Sequence, residues 1–195
     1  EHKPVTGSET SFCPSLWGGK DWPPAAYNPE TGLLYIPAND NHCGIVEGRE
    51  VTYMPGSSFT GARTQMTVPE TAEHIGEIQA WDMNTGEEVW TREFESHNWG
   101  GILTTSGNLV FSGGTSDRFF RAHDASTGEE LWRFRTNSGI IGVPSSFSVD
   151  GRQYVAVQSG WGVDAAGMTA RIDQQRGTST FVPQGGVIWV FALPE

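Results

Sequence analysis

An eleven-residue pattern occurs twice in this chain and constrains its fold more than any other feature. Residues 80–90 have the sequence AWDMNTGEEVW, and residues 122–132 have AHDASTGEELW. Seven of the eleven positions are identical, at a spacing of 42 residues. A repeat period of about 40 to 45 residues is typical of the four-stranded blades of β-propellers. One blade cannot bury both of its faces, so the repeat predicts sheets that stack against one another.

The repeated Asp-x-x-Thr-Gly segment has a local structural role. An Asp side chain accepts hydrogen bonds from the backbone N–H groups that follow it, and Gly adopts positive φ without strain. The segment therefore predicts the turn between the third and fourth strands of a blade. The Trp that ends the motif is expected on the outer strand, where its large ring can cover the gap to the next blade.

Short apolar segments bounded by Gly, Asn, Asp and Pro dominate the chain, which predicts strands rather than helices. We assign three four-stranded antiparallel blades, at about residues 12–95, 96–136 and 137–193. The last blade is expected to begin with an inner strand at 138–142 and to lack its outer strand. The predicted fold class is all-β, and because closed propellers need about four to eight blades, the chain is a partial propeller.

Two long stretches interrupt the regular pattern of strands. They are Ala38–Ile75 and Ser159–Gln184, and both are predicted to be loops. Loops of this length inside a regular repeat usually have a function.

Charge and cysteine content exclude several classes of protein. Lys and Arg number 12 against 23 Asp and Glu, and no basic run occurs, which argues against binding to nucleic acid or to an anionic membrane. No apolar run is long enough to span a bilayer. The two cysteines, Cys13 and Cys43, have no CxxC spacing, so composition leaves open either a disulfide or two buried thiols.

The pattern Ala-x-Asp-x-x-Thr-Gly-x-x-x-Trp resembles the tryptophan-docking motif of the pyrroloquinoline quinone (PQQ)-dependent alcohol dehydrogenases. That family consists of eight-bladed quinoprotein propellers and includes methanol, ethanol and sorbose dehydrogenases. Further similar segments occur in the family's order, at residues 17–22 (WGGKDW), 27–35 (YNPETGLLY), 99–113 and 184–191. The resemblance covers nearly the whole chain. It implies the last three blades of an eight-bladed propeller, with the remaining N-terminal blades as partners.

The resemblance also implies an activity. Members of the family oxidise alcohols or sugars by hydride transfer to PQQ, beside a calcium or lanthanide ion, in the periplasm. The electrons then pass to an acceptor such as a cytochrome c. The catalytic base and the metal ligands belong to earlier blades, and no segment of this chain matches them. We therefore assign no catalytic residue and no metal ligand here, and we expect the chain alone to be inactive.

The resemblance makes five residues candidate cofactor contacts: Lys20, Asp21, Asn98 (which precedes a matching Trp), Trp99 and Trp161. The family usually has Asn where this chain has Asp21, and a carboxylate beside a polyanionic quinone needs a cation such as Lys20 to offset it. An indole N–H such as that of Trp99 can donate to a carboxylate or carbonyl of PQQ. The alternatives are a surface Lys–Asp pair and tryptophans that only pack against a blade.

The resemblance also bears on the two cysteines. The segments around Cys13 and Cys43 match a pair that methanol dehydrogenases join as a disulfide, which implies the same bridge here and an oxidising compartment. The histidines are expected to be ordinary, with His97 solvated or hydrogen-bonded in a loop. Two other functions stay open: a non-catalytic scaffold of the outer-membrane assembly type, and a lectin-like propeller. The long loops that bear Gly and Trp favour the enzyme.

Overall fold

The computed structural model describes residues 3–57 and 60–192 and is built mainly from antiparallel sheets. In chain order the strands are β1 (Glu9–Phe12), β2 (Ala26–Asn28), β3 (Leu33–Asn39), β4 (Cys43–Gly48), β5 (Ala62–Thr67), β6 (Gly76–Asp82), β7 (Glu88–Phe94), β8 (Ile102–Thr105), β9 (Leu109–Ser112), β10 (Phe119–Asp124), β11 (Glu130–Arg135), β12 (Ser145–Val149), β13 (Arg152–Ser159) and β14 (Val187–Ala192). One helix of the described chain, α1, spans Val163–Arg176.

Three of the sheets have the strand order of propeller blades. Sheet I is β2-β3-β6-β7, sheet II is β8-β9-β10-β11, and sheet III is β12-β13-β14. A side sheet, β1-β4-β5, stands apart from this series. The predicted all-β class is confirmed. We retain the division into blades at about 12–95, 96–136 and 137–193 as a proposal, and Leu193 lies outside the described residues.

The repeated motif forms the predicted turn in both copies. Asp82 Oδ1 accepts the backbone N–H of Asn84 at 2.7 Å, and Asp124 Oδ1 accepts that of Ser126 at 2.9 Å. Gly86 and Gly128 have φ of 73° and 71°, the left-handed region that glycine adopts without a Cβ clash. The same chemistry therefore closes the β6–β7 turn of sheet I and the β10–β11 turn of sheet II.

Trp90, at the end of the first motif, joins sheet I to sheet II. Its indole Nε1 donates to the carbonyl of Ala125 at 3.0 Å, and the Tyr35 hydroxyl donates to the same carbonyl at 3.0 Å. The Trp90 ring lies directly against Gly128 of the second motif. An apolar core fills the interface behind these contacts, formed by Leu33, Tyr35, Ile78, Ala80, Trp90, Ile102, Val110 and Ala125. The tryptophan of one motif thus docks on the turn of the next.

Sheet III packs against the other face of sheet II. Phe120 of sheet II is fully buried against Ile140, Val155 and Val157. Trp132, the tryptophan of the second motif, meets Phe191 of β14 edge-on, with ring centroids 5.1 Å apart. Sheet III contains no Asp-x-x-Thr-Gly turn. Trp132 therefore packs against the Phe191 ring, whereas Trp90 packs against the glycine of the next motif.

Apolar side chains are exposed at both ends of this stack. In sheet III, β14 pairs with β13 alone among the described strands, and Ile188 and Val190 are 72% and 54% exposed. On sheet I, an open groove of about 610 Å³ runs along Leu34, Ile36 and Trp81. The outer face of each end sheet is therefore apolar and uncovered.

Three expectations about the irregular segments were wrong. The stretch Ser159–Gln184 contains α1, and the stretch Ala38–Ile75 contributes β4 and β5 to the side sheet. Residues 138–142 form no strand; Ile140 makes a single bridge to Gly160, and sheet III begins later, at Ser145. Gly139 and Gly142 lie against the Trp161 ring and Gln158 O, so this segment packs closely on its neighbours and makes one bridge instead of a ladder of strand pairs.

The predicted disulfide between Cys13 and Cys43 is confirmed. It ties the segment after β1 to the start of β4, and so holds the side sheet to the loop that precedes sheet I. Because disulfides form and persist in oxidising compartments, the bond favours a location outside the cytosol.

None of the helical residues that the structure describes forms a segment long and apolar enough to cross a lipid bilayer.

Candidate functional site

The five predicted cofactor contacts lie on three loops that the structure joins together. Asn39, at the end of β3, is buried. Its backbone N–H donates to Gly19 O at 2.8 Å, its Nδ2 donates to Asn98 O, and its Oδ1 accepts the N–H of Asn98. This residue links the loop of Lys20 and Asp21 to the loop of Asn98 and Trp99. His97 then links the second loop to Trp161, with ring centroids 5.4 Å apart.

Lys20 and Asp21 are both exposed on the first loop. The Lys20 ammonium donates to the backbone carbonyls of Asp21, at 2.6 Å, and Pro23, at 2.9 Å. Asp21 Oδ1 accepts the backbone N–H of Trp22 at 2.7 Å. The ammonium therefore binds the carbonyl of Asp21 and not its carboxylate, so the structure does not contain the surface ion pair that was the alternative interpretation.

Asn98 is buried, and its side chain is already occupied. Its Nδ2 donates to Glu77 O at 2.8 Å, and its Oδ1 accepts the N–H of Gly100 at 3.4 Å. A polar contact from this side chain to a cofactor would compete with these bonds. The arrangement supports a positioning role for Asn98, which holds the loop that carries Trp99; a cofactor contact stays a prediction.

Trp99 and Trp161 are 5% and 2% exposed and belong to one apolar cluster. The cluster also contains Ala165, Met168 and Val182. Neither indole N–H has a hydrogen-bond partner among the described residues. A buried donor without a partner costs about 1–3 kcal/mol. Two such donors in one cluster mark it as a place where an acceptor from outside the described chain would be stabilised.

The expectation of a solvated or hydrogen-bonded His97 was wrong. The side chain is fully buried between the rings of Trp17 and Trp161, and neither of its nitrogens has a partner in the described structure. Burial lowers its pKa from 6.5 to about 4, because the charged form loses its hydration. At neutral pH the imidazole is therefore uncharged. His97 lies in the loop between β7 and β8, and no periodic pattern in a loop distinguishes a buried histidine from an exposed one.

Helix α1 forms the wall behind the two tryptophans. Its buried residues, Ala165, Met168, Thr169 and Ile172, follow the i, i+3, i+4, i+7 spacing of a single helical face. Gly177 ends the helix in the left-handed conformation. The helical spacing of these residues and the glycine after the last turn can both be read in the sequence. They are weak signals because only Met168 and Ile172 of this face are large and apolar, in a helix that also contains Gly167 and many polar residues.

We expect a pH-dependent stability from His97. Its folded pKa, about 4, lies below the unfolded value of 6.5, so between these values the unfolded chain binds more protons. The stabilisation is complete above pH 6.5 and is lost as the pH falls towards 4. At roughly 1.4 kcal/mol per pKa unit, it amounts to about 3 kcal/mol. Guanidinium unfolding of the chain and of His97→Phe at several pH values measures this contribution as a difference.

The variant must be subtracted from the unmodified chain because burial also lowers the pKa of His123 to about 4. His123 keeps its own pH dependence in the variant, so the difference reports on His97 alone. Equal slopes of unfolding free energy against pH in the two proteins would contradict the assignment to His97.

A comparison with family models matches part of the chain. Residues 91–155 match the model described as the PQQ-type glucose/ethanol/alcohol dehydrogenase, β-propeller domain. The match begins in β7 of sheet I and ends in β13 of sheet III, so it includes the second motif.

Curated proteins are similar over nearly the full length of the chain. It is 40% identical over 190 residues to the quinoprotein alcohol dehydrogenase PedH of Pseudomonas putida, covering 97% of this chain and 31% of the relative. It is 40% identical over 197 residues to the lanthanide-dependent methanol dehydrogenase of Methylorubrum extorquens, covering 94% of this chain and 32% of that protein. The chain therefore spans about a third of the length of these relatives.

Solved structures give the same result. A europium-containing methanol dehydrogenase superposes with a TM-score of 0.84 at 36% identity, over 99% of this chain and 36% of the other.

Proposed function

We propose that this chain, which belongs to the PQQ-dependent β-propeller family, forms one wall of the cofactor site in a quinoprotein alcohol dehydrogenase. The observation that carries the proposal is the pair of buried, unpartnered indole donors of Trp99 and Trp161, in a chain about 40% identical to named quinoprotein dehydrogenases over 97% of its length. The proposed reaction is the oxidation of an alcohol. We propose sugars only as a second substrate class.

The described residues fit PQQ in part. PQQ carries carboxylates and carbonyls, and the N–H groups of Trp99 and Trp161 are donors that lack an acceptor. Lys20 is exposed and carries a positive charge, which would attract the carboxylates of PQQ. When bound, the quinone with its cation supplies the hydride acceptor for the alcohol. The residues of this chain orient that group and keep water from it.

We assign the catalytic base and the ligands of the quinone's cation to parts of such an enzyme that this chain does not contain. A relative named as lanthanide-dependent and a neighbour that contains europium support a metal-assisted reaction. The choice between calcium and a lanthanide stays a proposal, as do an electron acceptor such as a cytochrome c and a periplasmic location, which the disulfide favours.

The uncovered faces at both ends of the stack support further blades as partners. Among the described strands, β14 has no partner on its outer edge, which an additional outer strand would pair with, and Ile188 and Val190 are exposed on its face. The groove along Leu34 and Trp81 is the matching face for a preceding blade. We propose that eight blades close the ring. The scaffold and lectin alternatives have no specific observation in their favour.

The proposal predicts a direct effect on cofactor retention. In the complete propeller that contains this chain, Trp99→Phe and Trp161→Phe keep an aromatic ring and remove the N–H. Loss of a hydrogen bond to a charged group costs about 1.5–3 kcal/mol, so each variant should retain PQQ roughly tenfold to a hundredfold less tightly. Quinone absorbance after gel filtration and dye reduction with ethanol measure the effect.

Trp132→Phe is the matched control, because that ring packs between sheets II and III and lies outside the Trp99 cluster. Retention of PQQ should be unchanged in it. Full retention in all three variants would remove the two indoles from the cofactor site. Absence of both quinone binding and alcohol turnover in the complete propeller would overturn the proposed function itself.

A further inference from the structure

We propose that Asp40, His74 and Glu77 form a binding site for a divalent cation of the zinc class. One ligand atom from each of the three side chains lies within 4.8 Å of the others. Strand pairing brings them together: β3 and β6 place Ala38 opposite Glu77, and the N–H of Asp40 then donates to Ile75 O at 2.7 Å. The three side chains meet where these two strands begin and end, on a rigid part of sheet I.

Two side chains of opposite hydrogen-bonding character meet at His74 Nε2. This nitrogen lies 2.8 Å from Glu77 Oε1, an acceptor, and 3.0 Å from Asn41 Nδ2, a donor. If Nε2 carries a proton, it can donate to the Glu77 carboxylate but faces the N–H group of Asn41. If Nε2 has a free lone pair, it can accept from Asn41 but faces the Glu77 oxygen. A cation bound to both the lone pair and the carboxylate resolves the conflict with Glu77, and the Asn41 side chain can then turn aside.

The other nitrogen of His74 also lies near a carboxylate. Its Nδ1 lies 3.5 Å from Glu93 Oε2, at ion-pair distance. A carboxylate on this side favours the proton on Nδ1, which leaves the Nε2 lone pair for a metal.

Glu77 is oriented in the same manner. Its Oε2 accepts Nε2 of Gln79 at 2.6 Å, and the Gln79 amide oxygen accepts the indole N–H of Trp81 at 3.0 Å. This chain of hydrogen bonds occupies one carboxylate oxygen and directs the other, Oε1, towards His74. Outer partners that hold both ligands in place are a regular feature of protein metal sites.

The charges around the cluster also favour a cation. Glu77 is 5% exposed, and with Asp40 and Glu93 it places three carboxylates around one imidazole. The ion pairs described for the chain join none of the three to a Lys or Arg. A buried carboxylate is costly without a compensating charge, and a divalent cation would supply it.

A cation can reach this site from solvent. Asp40, which directly follows β3, is exposed. His74 is partly exposed, whereas His42, His97 and His123 are buried. Among the described histidines, His74 is thus the one that solvent can reach.

The ligand set selects the class of cation. Zn²⁺ is bound by imidazole nitrogen and carboxylate oxygen, often with three protein ligands and one open position. Ca²⁺ requires six to eight oxygen ligands, and Mg²⁺ prefers oxygen in an octahedral shell. One nitrogen and two carboxylates therefore fit zinc better than the alkaline-earth cations. The site does not depend on the proposed reaction with PQQ.

Titration calorimetry of the untagged, disulfide-bonded chain with ZnCl₂ tests the site. We expect one Zn²⁺ per chain, and Co²⁺ in its place should give visible absorption bands of a nitrogen and oxygen environment. His74→Ala should abolish binding, Asp40→Asn should weaken it at least tenfold, and Glu93→Gln should weaken it roughly tenfold to a hundredfold through the imidazole. CaCl₂ should give no comparable heat.

Two control variants separate this site from adventitious binding. Glu87→Gln removes an exposed carboxylate of the β6–β7 turn and should leave zinc affinity unchanged, and His2→Ala removes the histidine near the N-terminus. Asp40 is exposed, so Asp40→Asn provides a folded variant even where His74→Ala or Glu93→Gln fails to fold. Absence of zinc binding, unchanged affinity in Asp40→Asn, loss of binding in His2→Ala, or equal binding of calcium would each overturn the proposal.

Discussion

Gly128→Ala is expected to lower the free energy of unfolding by about 4 kcal/mol. A Cβ atom at this position would lie 2.6 Å from a carbon of the Trp90 ring, and φ at Gly128 is 71°. The positive φ costs an alanine about 1–2 kcal/mol. The clash then forces Trp90 away from the Ala125 carbonyl that its indole binds, and overpacking adds about 1–3 kcal/mol. Chemical denaturation followed by tryptophan fluorescence measures the loss.

The first copy of the motif provides the matched control. Gly86 occupies the same position, with a φ of 73°, but a Cβ there would meet no atom within 4 Å. Gly86→Ala therefore has the backbone strain without the clash and should cost about 1–2 kcal/mol. The difference between the two variants isolates the docking of one motif on the next.

Equal destabilisation by the two alanines would show that the docked tryptophan contributes nothing beyond the turn. A further check is Trp90→Phe, which keeps most of the ring and removes the hydrogen bond to Ala125. Its cost should be smaller than that of Gly128→Ala, since no atom is forced into the interface.

The parts of the fold that repeat were predictable from the sequence. Two copies of one motif specify the same turn twice, because the Asp side chain and the following Gly determine the local backbone whatever surrounds them. The strands of sheet II follow from alternation and from turn residues for the same reason. The contact of Trp90 with the next sheet was also expected, since a large ring on an outer strand has few other places to be buried.

The parts that were missed depend on contacts distant in the chain. Helix α1 has only two large apolar residues on its buried face, Met168 and Ile172, and its face is covered partly by Trp99, more than 60 positions earlier in the chain. In the side sheet β4 pairs with β1 on one edge and with β5 on the other, and the disulfide joins the residue after β1 to the start of β4 across 30 positions of sequence. Local periodicity contains neither fact, so both segments were predicted as loops.

The candidate site was likewise predictable only in part. Resemblance identified Trp99 and Trp161, and the structure adds that their indole donors are buried without partners. The resemblance could not indicate that the Asn98 side chain already bonds Glu77 and Gly100, because the bond to Glu77 joins its loop to strand β6. The resemblance also gave no indication of the cluster of Asp40, His74 and Glu77, because these residues come together only when β3 pairs with β6.

Gly139→Ala should be comparably disruptive and should act on the candidate site itself. A Cβ at Gly139 would lie 2.0 Å from a carbon of the Trp161 ring, and two further ring atoms lie within 2.7 Å. The ring must therefore leave its buried position, where it also contacts His97. Loss of a buried tryptophan from a core costs about 3–5 kcal/mol. Denaturation of the chain measures this cost, and quinone absorbance of the complete propeller measures the effect on the site.

Gly160→Ala is the control that separates displacement of Trp161 from a general intolerance of the segment. Gly160 donates its N–H to Gly139 O at 2.7 Å, and a Cβ there would meet its nearest atom at 3.6 Å, an ordinary contact. This alanine should be tolerated. If Gly139→Ala lowers stability but leaves quinone retention intact, Trp161 belongs to the core alone. If it abolishes retention while Gly160→Ala does not, the glycine is present because it gives the tryptophan the space that the cofactor wall requires.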